Sequence, residues 1–184
     1  GAGWMREEFQ VVQAPPFDER GAVADEYIRA FRELWTSGAP AFDGTYASFS
    51  DIGFGPKPTQ RPLPVWVGGA SLAALRRAAR LGDAWYPIGN NPRFPLDTLE
   101  RFSERVARLG RECEDIGRDP ASLDIAYQAP AYSVPEPLVD RSGDRVPFTG
   151  TSEQVADDIR AFDDLGVSSL ILDLVSDTVD GTLA

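Results

Sequence analysis

The sequence holds no histidine, one cysteine (Cys113) and one methionine (Met5) among 184 residues. Without histidine, the Ser-His and Cys-His catalytic pairs and most zinc sites are excluded from these residues. A single cysteine excludes an internal disulfide and fits a cytoplasmic, reducing origin. Cys113 falls on the apolar stripe of a predicted helix, so it reads as core and not as a nucleophile. No apolar run approaches the roughly 18 residues that a membrane span needs, and the reading expects no signal peptide. Positive charge is scarce: 18 Lys and Arg stand against 29 Asp and Glu, a net charge of −11. That balance argues against nucleic acid or an anionic membrane as the main partner, so any anionic ligand must be held by local donors. Repeats and low-complexity tracts are absent. An initiator Met is also missing. The opening "GAGWMREEF" reads as the tail of a strand whose body lies elsewhere, and the expectation is a fragment.

What is present is rhythm. Apolar spacing predicts four helices. The first runs from Val23 through Tyr27, Ala30, Phe31, Leu34 and Trp35 to Gly38. The second starts at Leu72, carries Leu75, Ala78 and Ala79, sets Arg76, Arg77 and Arg80 on its other side, and ends at Gly82. The third runs from Leu96 through Leu99, Phe102, Val106 and Leu109 to Cys113. The fourth starts at Val155, with Thr151 and Gln154 placed for a capping box, and ends at Gly166. Between them lie short apolar runs at 64–67, 84–88, 123–128 and 168–175, read as strands covered on both faces. Such strands mark parallel sheets, and the alternating order gives right-handed strand-helix-strand units. Two stretches break the pattern. Residues 42–58 hold an Asp43-Gly44 turn between aromatics and read as a hairpin-like insertion. Residues 130–150 are long and Pro-rich, as in a lid or binding loop. The charge runs at Glu112–Asp115 and Asp157–Asp158 read as solvated helix faces.

Chemistry is carried by the corners. In "PVWVGGASLAALRRAARLGDAWYP" a strand stops at Gly68-Gly69, directly before a helix. Glycine lets a ligand approach the backbone. Ser71 stands where an N-cap would, and the free first-turn amides of Leu72 onward favour an anion. A phosphate or cofactor cradle and a tight turn needing positive φ both fit this pattern. Ala2 and Gly3 form a second candidate strand end, with Trp4 as an apolar wall and Glu7 following; Thr151 opens a third helix after a loop. All three are strand-to-helix corners, which lie on one face of a parallel barrel. Glu7, Glu8 and Asp173 are the carboxylates considered for acid-base work, and structural pairing is the alternative for each. The residues designate no catalytic group and no metal site.

The stretches "GAGWMREEF", "RGAVADEYIRAFRELW", "FGPKP", "PLPVWVGGASLAALRRAARLGDAWYP" and "GTSEQVADDIRAFDDLGVSSLIL" together resemble the luciferase-like monooxygenase superfamily, most closely its F420-dependent oxidoreductases. The resemblance implies an α/β fold, a TIM (β/α)₈ barrel of which residues 1–184 supply only the C-terminal half or more. The first three strands and their helices would be missing. It implies coenzyme F420, or alternatively FMN, at the C-terminal mouth of the barrel, with a small-molecule substrate and hydride transfer or oxygen activation there. By position it assigns cofactor contacts to Gly68, Gly69, Ser71, Leu72, Ala2, Gly3, Trp4, Glu7 and, less directly, Thr151. Three readings stay open: an F420-dependent oxidoreductase, an FMN-dependent monooxygenase working with a flavin reductase, and a non-catalytic barrel piece that packs against another chain. A homodimer is compatible with the resemblance.

Overall fold

The computed structural model describes residues 1–140 and 142–174. Its elements, in chain order, are α1 (Arg6–Val11), a 3₁₀ turn (Phe17–Glu19), α2 (Arg20–Thr36), β1 (Phe42–Asp43), β2 (Ser48–Phe49), β3 (Trp66–Gly68) and α3 (Leu72–Leu81). Then follow β4 (Ala84–Tyr86), α4 (Leu99–Glu114), a 3₁₀ turn (Pro120–Ser122), β5 (Asp124–Gln128), α5 (Ser152–Asp164) and β6 (Val167–Ile171). Strands β3, β4, β5 and β6 form one parallel sheet in that order. Parallel neighbours need crossovers, and α3, α4 and α5 supply them. The sheet does not close; β3 and β6 are its edges. The architecture is a partial (β/α) barrel. No helix among the described residues is long and apolar enough to cross a membrane.

The helix starts follow from their caps. The side chains of Ser71, Thr98 and Thr151 accept hydrogen bonds from the amides of Ala74, Arg101 and Gln154, and Thr151 with Gln154 closes a full capping box. The third predicted helix therefore begins at Leu99 and not at Leu96. Leu96 is 1% exposed in the connection before α4, where its carbonyl accepts from Tyr127 Oη at 2.6 Å. Periodicity cannot separate a core plug in a loop from a helical residue. Helix α1 has no buried residue and so no stripe to read.

The core lies between the sheet and its helices. Trp85 of β4 stacks on Phe102 of α4 at 5.9 Å, and Phe102 stacks on Phe162 of α5 at 4.9 Å. Tyr127 of β5 reaches Phe162 at 4.8 Å. Cys113 is fully buried in the same cluster. The expectation of strands covered on both faces holds in β4 and β5, where the neighbours Ala84 and Trp85 and the run Ile125, Ala126 and Tyr127 are all buried, and needs correction at β3. Val67 is 4% exposed, whereas its neighbour Trp66 is 45% exposed. Successive strand residues point to opposite faces, and α3–α5 cover only one of them. The other face carries Trp66, Gly68, Tyr86 and Gln128.

The charge runs are corrected in part: Glu114, Asp115 and Asp157 are exposed as expected, but Glu112 and Asp158 are not. Glu112 is buried and accepts from Arg76 and Arg108, which hold its carboxyl below the ordinary range against the opposing effect of burial. Asp158 takes both terminal nitrogens of Arg145 at 2.7 Å and also the Phe148 amide at 2.7 Å. This clamp anchors the Arg145–Phe148 stretch of the long loop to α5. Arg77, expected on the outer side of α3, is buried and bonds Asp25 of α2 and the Gly21 carbonyl. The Asp43-Gly44 turn does form a hairpin, with Phe42 opposite Phe49. Glu26 of α2 seats it, accepting from the amides of Thr45 at 2.9 Å, Tyr46 at 2.6 Å and Ala47 at 2.8 Å. A Cβ on Gly44 would overlap the Glu26 carboxylate, so the turn needs glycine there.

Candidate functional site

Because the four strands are parallel, the corners β3–α3, β4–α4 and β5–α5 leave the sheet at one end. Ligands of parallel α/β sheets bind at that end. At the first corner Gly69 has φ +110°, in the left-handed half that side chains avoid. That value by itself accounts for glycine at 69. Gly68 differs. Its backbone is not in that region, but a Cβ there would meet the Gly1 nitrogen at 3.2 Å and the Tyr86 carbonyl at 3.5 Å. Close approach, not conformation, favours glycine at 68. The corner is fixed from the next strand: Trp85 Nε1 donates to the Gly69 carbonyl at 2.8 Å, and the Gly69 amide donates to the Tyr86 carbonyl at 3.3 Å. Ser71 spends its hydroxyl on the Ala74 amide at 3.2 Å. The amides of Leu72 and Ala73, in the first turn of α3, have no acceptor within the helix. They are the donors available to an anion, with the helix dipole behind them.

The N-terminal candidate divides. Gly1 and Ala2 lie beside Gly68 and line, with it, a cavity of about 280 Å³ walled by Tyr27, Ile28 and Phe31 of α2. Gly3 has φ +89° and a Cβ there would overlap the Phe9 ring, so the turn itself accounts for it. Trp4 is 80% exposed, and neither it nor the exposed Glu7 lines this cavity. Glu8 is exposed on α1. Thr151 sits at the same end of the sheet, capping α5 after β5, two strands away from β3.

A polar row joins Asp173, one of the carboxylates considered above, to two residues of the face turned away from the helices that the sequence reading leaves unmarked, Tyr86 and Gln128. Trp66 meets the Tyr86 ring edge-on at 5.9 Å. Tyr86 Oη donates to Gln128 Oε1 at 2.7 Å, and Gln128 Nε2 donates to Asp173 Oδ2 at 3.2 Å. An ionised carboxylate only accepts, so Asp173 fixes the Gln128 amide and thereby commits the Tyr86 proton. The signal was available in the two-residue alternation of "WVG", "AWY" and "IAYQ", which separates Trp66, Tyr86 and Gln128 from the core-facing Val67, Trp85 and Tyr127. An aromatic wall with an oriented phenol and amide, next to a corner rich in free amides, suits a flat polar ring with an anionic tail. Among the described residues no group of three His, Cys, Asp or Glu is placed to hold a metal ion.

Comparison with known proteins agrees with this geometry. The luciferase-like monooxygenase profile matches residues 1–137. An FMNH(2)-dependent dimethylsulfone monooxygenase of Pseudomonas putida is 38% identical over 93 residues, 49% of this chain and 26% of that protein. An uncharacterised protein of Mycobacterium tuberculosis is 36% identical over 142 residues, 73% of this chain and 46% of that one. The chain thus spans about half or less of the length of these relatives. Among solved structures, an F420-dependent secondary alcohol dehydrogenase in complex with an F420-acetone adduct superposes with a TM-score of 0.67 at 21% identity, covering 99% of this chain and 65% of that one. A luciferase-like fold in the structure and a family match over most of the sequence lead to one conclusion: this chain belongs to the luciferase-like monooxygenase family.

Proposed function

We propose that the chain carries the tail-binding side of the cofactor site of an F420-dependent oxidoreductase that passes hydride between the deazaflavin and a small organic substrate. The observation that carries this reading is the β3–α3 corner. Gly68 allows backbone approach, the first-turn amides of α3 supply donors, and Tyr86 and Gln128, with Trp66 against the Tyr86 ring, end β4 and β5 on the same side. In it, Leu72 and Ala73 hold the anionic tail through their amides, while Trp66 and Tyr86 shield one side of the ring from water. A second reading, an FMN-dependent monooxygenase supplied by a flavin reductase, is supported by the 38% identity to the FMNH(2)-dependent enzyme. The bound group supplies the redox chemistry in either case, by hydride transfer with F420 or oxygen activation with reduced FMN.

Equilibrium titration of the 184-residue chain with F420 and with FMN, followed by the fluorescence of each, tests both readings. Binding of F420 at least about tenfold tighter than FMN supports the first, since a tenfold preference is about 1.4 kcal/mol. The reverse order supports the second. Binding of neither, with self-association at rising concentration, overturns both and leaves a barrel piece that packs against another chain.

A further inference from the structure

The row through Tyr86, Gln128 and Asp173 has a fixed proton direction. An ionised carboxylate only accepts, so Gln128 must turn its amide nitrogen, at 3.2 Å, to Asp173. Its oxygen then faces Tyr86, whose hydroxyl donates to it at 2.7 Å. A phenol has one proton and two lone pairs. The proton is spent, and among the described residues no group donates to Tyr86 Oη, so that oxygen offers a ligand an acceptor and no donor. An amide alone does not enforce this. Were Gln128 turned over, its nitrogen would donate to Tyr86 and release the phenol proton outward; the carboxylate of Asp173 makes that arrangement costly. The surroundings are apolar. Trp66, 45% exposed, lies edge-on to the Tyr86 ring, and Ile88, 42% exposed, is bridged to Gln128 in parallel register. Ile88 stands two residues beyond Tyr86, so both point to the same face, while Pro87 between them is fully buried on the other. Tyr86 and Gln128 are themselves half-buried, which keeps the acceptor partly out of water.

We propose that Tyr86 is a specificity-determining residue and Asp173 its positioning residue: together they select ligands that bring a hydroxyl to the row and reject those that bring only an oxygen acceptor. Calling that ligand a substrate, a hydroxyl compound with an apolar body, rests on the function proposed above. The hydroxyl donates to Tyr86 Oη while the carbon frame lies against Trp66 and Ile88. An ether of the same shape keeps the apolar contacts but sets its oxygen against the lone pairs of the phenol. To accept from Tyr86 it must first take the proton from Gln128, whose oxygen then loses its partner. A site built to bond a hydroxyl discriminates more sharply than apolar contact alone.

Equilibrium dialysis of the 184-residue chain at pH 7 with 2-naphthol and with 2-methoxynaphthalene tests the selection. The naphthol should bind about fivefold more tightly, the worth of one neutral hydrogen bond. Tyr86→Phe should abolish the preference by weakening the naphthol, with the ether little changed. Asp173→Asn should also lose it, since an Asn amide lets Gln128 turn over, and Asp173→Glu, which keeps a carboxylate, should retain it. A residue that only supported the fold would move both ligands together and leave their ratio alone. Equal binding of the two, binding of neither, or a preference that survives Tyr86→Phe or Asp173→Asn overturns the proposal. Neither probe carries a phosphate, so the result does not depend on the β3–α3 corner. A parent chain that takes up F420 or FMN yet shows no preference loses the hydroxyl selection alone. One that prefers the naphthol and binds neither F420 nor FMN keeps the selection and loses the substrate assignment.

Discussion

Tyr86 of β4 donates a hydrogen bond of 2.7 Å to the side-chain oxygen of Gln128 of β5, whereas Tyr127, one residue before Gln128, donates to the Leu96 carbonyl at 2.6 Å on the opposite side of the sheet. The two phenols differ in what depends on them. Tyr127 is fully buried, and burial pushes its hydroxyl well above the ordinary tyrosine range. Tyr127→Phe strands a buried carbonyl and should cost about 1–3 kcal/mol. Tyr86→Phe leaves Gln128 within reach of water and should cost no more than about 1 kcal/mol. Urea midpoints of the two variants check the contrast. Titration with F420 or FMN should then show a change in affinity for Tyr86→Phe alone.

Glu26 gives the fold a pH dependence. Burial works against its charge, but the amides of Tyr46, Thr45 and Ala47 and the nearby Arg29 hold its pKa below the ordinary glutamate value of 4.5. A carboxyl lowered in the folded state stabilises it above the unfolded pKa, and loses that contribution as pH drops through the folded pKa. Glu26→Gln keeps an acceptor and loses the charge. Its melting temperature should lie below that of the parent chain at pH 7, and the gap should shrink as the pH is lowered below 4.5. A gap of constant size from pH 7 to pH 3 contradicts this account of the hairpin seat.

The clamp at Asp158 predicts a local effect. Its side chain is 14% exposed and receives two nitrogens of Arg145 and the Phe148 amide. Phe148 is fully buried with φ +65°, a conformation that a non-glycine residue keeps only under constraint. Asp158→Ala leaves Arg145 without its carboxylate and should cost about 2 kcal/mol, less than a fully buried pair. Limited trypsin digestion should cut at Arg145 sooner in the variant, while cleavage elsewhere keeps its order.

These contrasts show where the sequence was legible. The parallel order β3–β4–β5–β6 and helices α2–α5 follow from period and punctuation: Gly38, Gly82 and Gly166 stop helices, and Ser71 and Thr151 start them. The start of α4 was misplaced because Leu96 is buried for a tertiary reason, the bond from Tyr127. Arg77, Glu112 and Asp158 were read as solvated because a charge in sequence looks the same whether it is exposed or paired. Only the fold brings Asp25, Arg76 and Arg145 to them. At the candidate site the glycine corner was visible as a motif. Asp173 was visible as a carboxylate, but its pairing with Gln128 and Tyr86 was not, because the three belong to separate segments that only the fold aligns.

Cys113 offers a check on the core. Burial pushes its thiol above the ordinary value of 9.0, although Arg118 nearby pulls the other way. The thiolate is the reactive form, so native Cys113 is doubly protected, by burial and by protonation. A chromogenic disulfide reagent should modify it at least about a hundredfold more slowly in buffer than in urea, since reaction requires opening of the core. Rapid stoichiometric modification of the native chain contradicts the packing of α4 on the sheet.

The two glycines of the corner should separate conformation from ligand approach. Any side chain at 69 must adopt φ near +110° and meets the Ala74 Cβ at 3.2 Å, so Gly69→Ala should lose about 1–2 kcal/mol of stability with or without ligand. At 68 the backbone needs no unusual angle, and the new methyl meets one atom inside ordinary contact distance, the Gly1 nitrogen at 3.2 Å. Gly68→Ala should therefore lose less than about 1 kcal/mol. In the proposed site its methyl would stand where the ligand's phosphate arm approaches the backbone, and FMN or F420 affinity should drop about tenfold, or about 1.4 kcal/mol. Urea midpoints measured beside ligand titrations on both variants decide the matter. If Gly68→Ala binds the ligand as well as the parent chain, close approach at 68 serves only the packing of Gly1, and the cradle has to be sought at the start of α5 beside Thr151.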